Sequence, residues 1–135
     1  MINLARWILV PLSGVAVWYA VLLLGIAGYE LLDRLCPPEL VVSGACTASW
    51  HAPAVEVLML VCTALVSAGI VVIPALIAPA RRFQVAAVAF GCGATFAIYA
   101  ASGGSLWGPF FVSALTGAGS LWLVASKWNA RGIAV

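Results

Sequence analysis

Cys36 and Cys46 are the residues of this chain whose type and spacing most directly imply covalent chemistry. Between them lie Pro37-Pro38-Glu39-Leu40-Val41-Val42-Ser43-Gly44-Ala45, with rigid prolines at one corner and a permissive glycine at the other. That composition suits a compact hairpin closed by a disulfide. Closing a loop of this size stabilises a fold by about 2–3 kcal/mol in the chain-entropy account. A redox-active pair is the sharper alternative. Thiol–disulfide exchange characteristically uses Cys-x-x-Cys spacing, however, and that motif is absent from the sequence.

Two further cysteines, Cys62 and Cys92, lie in apolar runs at similar depth, where they could approach one another. Buried cysteine behaves mainly as a small apolar residue. A thiolate metal centre would need more soft ligands at that depth. Met59 is about one helical turn from Cys62, and the sole histidine, His51, lies in a polar stretch outside these runs. No metal and no cofactor is expected.

Glu30, Asp33, Glu39, His51 and Glu56 gather carboxylates and an imidazole around one polar segment. Hard cations bind such oxygens, but the spacing fits no metal motif, so a solvated negative face or a docking surface is expected instead. Glu56 stands apart because it enters an apolar run. An ionisable group there is a functional suspect, and a proton-coupled transporter would use it as the coupling carboxylate. No His-Glu-x-x-His, Gly-x-Ser-x-Gly or phosphate-cradling glycine loop occurs, so an enzyme is not expected.

The elements that must position these groups follow from composition. The 135 residues are 65% hydrophobic and 7% charged, with a mean hydropathy of +1.18. A soluble domain carries about 25% charged residues, so lipid is the expected solvent. Four apolar runs, at about 7–29, 53–78, 83–101 and 106–126, approach the roughly 20 residues that cross a bilayer. Backbone polar groups must pair internally in lipid, which makes each run a helix. No ten-residue stretch alternates with period two, which excludes a β-barrel. The first run exceeds the roughly 7–15 apolar residues of a secretory signal and reads as a retained span. The expected fold is all-α: a single domain over 1–135, an integral membrane four-helix bundle, antiparallel up-down-up-down. One extended loop, 30–52, joins the first two helices.

Charge sets the orientation. Arg6, Arg81, Arg82, Lys127 and Arg131 flank the spans on one side, whereas the acids, joined by Arg34, cluster about the loop. Basic flanks stay cytoplasmic. Both termini are therefore expected in the cytoplasm of the cell (inner) membrane, with loop 30–52 extracytoplasmic. Trp7, Trp50, Trp107 and Trp128 fall at span ends, where an indole suits the headgroup layer; Trp18 and Trp122 are mid-span. Pro53 suits a helix start, Pro11 lies near the beginning of the first span, and Pro74 should bend the second. No basic patch interleaved with aromatics appears, so nucleic acid is not an expected partner.

Small residues drive helix association in lipid. The third span carries Ala89, Gly93, Ala97 and Ala101 at every fourth position, with Gly91 beside that row, and Gly117 lies in the fourth. Gly91, Gly93, Ala97 and Gly117 are the expected packing positions, with the third helix central and a bulky residue at Gly93 loosening the bundle. A homo-oligomer would use the same faces. The leading functional expectation is a small polytopic membrane protein acting through protein contacts, as an accessory subunit, regulator or protective partner. Its docking residues would be Leu40, Val41, Val42, Trp50 and His51, and its partners the bilayer and another membrane protein. The alternatives are a small proton-coupled transporter using Glu56 and a thiol-redox component using Cys36 and Cys46.

Overall fold

The computed structural model describes residues 2–78, 81–104 and 107–132. Pro79, Ala80, Ser105 and Leu106, which the sequence assigns to the short links, lie outside the described residues, as do the side chains of Trp128 and Arg131.

Four long helices form the fold: α1 (Ile2–Arg34), α2 (His51–Ile77), α3 (Arg82–Gly104) and α4 (Trp107–Gly132). All four are long and apolar enough to cross a membrane, and the chain is an integral membrane protein with four spans. The antiparallel up-down-up-down bundle expected from the sequence is what forms. Its helices run past the apolar segments. At 33 residues α1 is about 50 Å long, well beyond the roughly 30 Å of hydrocarbon. Its last turn carries an exposed Glu30–Arg34 pair, 3.9 Å apart at i,i+4, a spacing that favours continued helix. Because α1 starts at Ile2, Pro11 sits inside the helix rather than at its beginning. The carbonyl of Trp7 therefore loses its usual intrahelical donor.

Between α1 and α2 the chain makes a 3-10 turn, Pro38–Leu40, then the antiparallel strands β1 (Val41–Val42) and β2 (Ala45–Cys46). Val41 pairs with Cys46, and Val42 with Ala45. Ser43 and Gly44 make the turn with φ of 53° and 82°. Two positive φ values in succession match the twist of a two-residue hairpin, which explains glycine here.

The expectation of a central α3 is corrected. Helix α2 packs against all three others, α1 packs chiefly on α2, and α3 and α4 pack on α2 and on each other. Small residues on α2 and α1 make this arrangement possible. A Cβ built on Gly69 would lie 2.6 Å from Val17 Cγ1, and one on Gly28 would lie 2.9 Å from Leu58 Cδ1. A Cβ built on Gly25 would make only ordinary contact with the Cys62 sulfur, at 3.4 Å. Gly69 and Gly28 let α1 and α2 approach closely, the basis of helix association in lipid.

The buried core, Val71, Ala75, Ala86 and Val124 with Phe90 and Leu121 against it, joins α2, α3 and α4 near the α2–α3 link. Arg82 Nε donates to the Ala78 carbonyl at 3.2 Å, satisfying a carbonyl at the end of α2. Pro74, buried within α2, frees the carbonyl of Ile70.

Candidate functional site

The polar end of the molecule is built around the disulfide. Cys36 and Cys46 are bonded, with Cα atoms 6.0 Å apart. Thr47 fastens the returning strand: its backbone N–H and its hydroxyl both donate to the Leu40 carbonyl, at 2.9 and 2.7 Å. The hairpin thus has one covalent and several hydrogen-bonded ties, and Leu40, Val41 and Val42 are all exposed on it.

Beneath the hairpin, His51 opens α2. It is only 8% exposed, and its Nε2 donates to Asp33 Oδ1 at 2.8 Å. A carboxylate accepts only, which assigns the proton to that nitrogen. Tyr29 and Trp50 stand edge-on to the imidazole, with ring centroids 6.1 and 5.8 Å away. The sequence grouped His51 with the docking residues. The structure places it inside, bound to α1, while Leu40, Val41, Val42 and Trp50 remain exposed.

The acids do not assemble into a ligand set. Among the described residues, no group of three His, Cys, Asp or Glu side chains is placed to hold a metal ion. Asp33 faces His51, Glu30 faces Arg34, and Glu56 is exposed on α2.

Among the described residues, two clefts open between the spans. The larger, about 930 Å³, opens at the hairpin end among all four helices and reaches from Tyr29 and Glu30 down to Val71. The second, about 730 Å³, lies at the link end between α1 and α3, over Ile70 and Pro74 of α2. Cys62 lines the first and Cys92 the second, and both thiols are free. Glu56 lines neither. Threonine hydroxyls near these clefts are committed to their own helices. Thr63 donates to the Met59 carbonyl at 2.7 Å, and Thr95 to that of Gly91 at 2.9 Å.

The glycines divide into two kinds. Gly117 receives the Phe90 ring, 2.9 Å from where a Cβ would stand. A Cβ on Gly91 or Gly93 would meet nothing within 4 Å. Gly93 and Ala97 line the clefts. Sequence reasoning overlooked Gly25, Gly28 and Gly69, although small residues in an apolar run were the available signal. It also overlooked the Asp33–His51 bond, which depends on α1 continuing past Glu30.

Comparisons with protein-family models, curated proteins and solved structures found no match.

Proposed function

We propose that this protein is a non-enzymatic accessory subunit that engages another integral membrane protein through its 36–46 hairpin. The single observation that carries this reading is a covalently closed hairpin presenting Leu40, Val41 and Val42 to its surroundings. A preformed surface loses little conformational freedom on binding, so its apolar area converts efficiently into affinity. The hairpin stands at the carboxylate-rich end of the bundle, and its disulfide fits an oxidising compartment. With Arg6, Arg81, Arg82, Lys127 and Arg131 at the opposite end, both termini lie on the cytoplasmic side of the cell membrane.

The transporter reading has less support because its carboxylate, Glu56, lies off both clefts. The redox reading has less because the two free thiols lie within the spans, on α2 and α3.

A photoreactive side chain at Val42 tests the proposal in native membranes. One defined membrane-protein adduct is expected, competed away by unlabelled wild type but not by a Val42→Asp variant that retains its disulfide. Adducts to lipid alone, or equal competition by both proteins, would overturn it.

A further inference from the structure

We propose that the link-end cleft between α1 and α3 binds one anionic phospholipid, with the phosphate on Arg81 and an acyl chain running along α3 towards Gly93 and Phe96. The cleft has the polarity profile of a lipid. Its polar side chains, Arg81 and Gln84, sit together at one end, and the remaining lining is apolar or glycine apart from the Cys92 thiol. Trp7 reaches the cleft from α1, near the charged end of the bundle, the level at which indoles favour headgroups.

Its length fits one leaflet. Gln84 to Phe96 spans about 18 Å of helix, against about 15 Å for half of the hydrocarbon layer. The walls leave room for a chain: a Cβ on Gly14 of α1 or on Gly93 of α3 would meet nothing within 4 Å.

Charge selects the occupant. Arg81 is exposed and takes no part in the ion pairs found among the described residues, which join Arg34 to Glu30 and His51 to Asp33. Arg82 follows it directly, and Arg6 precedes Trp7. Basic pockets between spans on the cytoplasmic side attract anionic headgroups. The cleft meets its larger neighbour at Ile70, Ala89, Gly93 and Phe96, so a partner helix crossing the whole bilayer is the competing occupant. A neutral helix gives Arg81 no counter-charge, whereas a phosphate does.

This inference rests on the cytoplasmic placement of Arg81 proposed above. The test does not depend on that placement, because a lipid disc offers the probe in both leaflets. The full chain is placed in discs of equal dioleoyl-phosphatidylglycerol and dioleoyl-phosphatidylcholine, and retained lipids are counted by native mass spectrometry. One retained phosphatidylglycerol is expected, preferred by about fivefold, the effect of one arginine near an anionic surface. Arg81→Gln should abolish the preference with an unchanged thermal midpoint, and Gly93→Leu should reduce retention of both lipids. Equal retention of the two lipids by wild type would overturn the proposal, as would a preference that survives Arg81→Gln. So would a photoprobe at Val88 that attaches to a protein in native membranes.

Discussion

His51 Nε2 donates to Asp33 Oδ1 at 2.8 Å, and this bond ties the last turns of α1 to the first turn of α2. The two residues are 18 positions apart, with the whole hairpin between them. The bond therefore acts as a second clasp on the loop that the disulfide already closes. His51 is buried and Asp33 partly open, so the cost of breaking the pair falls on the histidine.

Asp33→Ala leaves the buried imidazole N–H without its acceptor. A loss of about 1–3 kcal/mol is expected, read as a lower thermal midpoint in detergent micelles. Asp33→Asn keeps an acceptor oxygen and should lose less. Identical melting of wild type and Asp33→Ala would show that the bond does not hold the loop.

Replacing both Cys36 and Cys46 with serine releases the hairpin from its covalent tie. The expected cost is about 2–3 kcal/mol, because the unfolded chain regains the freedom of the loop. The spans themselves should persist, since lipid enforces their internal hydrogen bonds. Protease digestion of the double variant should cut first between residues 36 and 46, while wild type resists there. Equal resistance would mean that the Thr47–Leu40 bonds suffice.

The four spans were legible because a run such as 53–78 has no folded alternative to helix in lipid. The disulfide was legible because Pro37-Pro38 and Gly44 already imply a turn-back. The hub of the bundle was not. Every span carries small residues, and the row Ala89, Gly93, Ala97, Ala101 is the most regular of them, yet it lines clefts. Contact is made instead where a glycine meets a particular bulky partner, as Gly69 meets Val17, and such complementarity between helices leaves no periodic trace in either one. His51 was misjudged for a similar reason. Its partner lies on a stretch of α1 beyond the apolar run, where only the structure reveals continued helix.

The two free cysteines should differ in reactivity. Cys92 is exposed, whereas Cys62 is half-buried against Gly25 of α1. In detergent-solubilised protein stripped of bound lipid, a membrane-permeant maleimide should modify Cys92 first, with intact-mass analysis of the Cys62→Ser and Cys92→Ser variants assigning the two rates. Equal rates would indicate that the larger cleft, which Cys62 lines, admits the reagent as readily as the face of α3 that carries Cys92.

Glycine replacements give the sharpest test of the packing, because the same substitution should change sign with position. Gly69→Ala drives a methyl group into Val17, whose branched side chain has few rotamers to escape into, and should cost about 1–3 kcal/mol. Gly117→Ala meets the flat Phe90 ring and should cost a similar amount. Gly28→Ala meets only the tip of Leu58, which can rotate away, so a smaller loss is expected. Gly93→Ala enters open space and should be neutral or stabilising by up to about 1 kcal/mol, the helix-propensity gain of alanine over glycine. Thermal midpoints of the four variants in one detergent provide the ranking. A Gly93→Ala protein less stable than Gly69→Ala would restore α3 to the centre of the bundle and remove α2 from it.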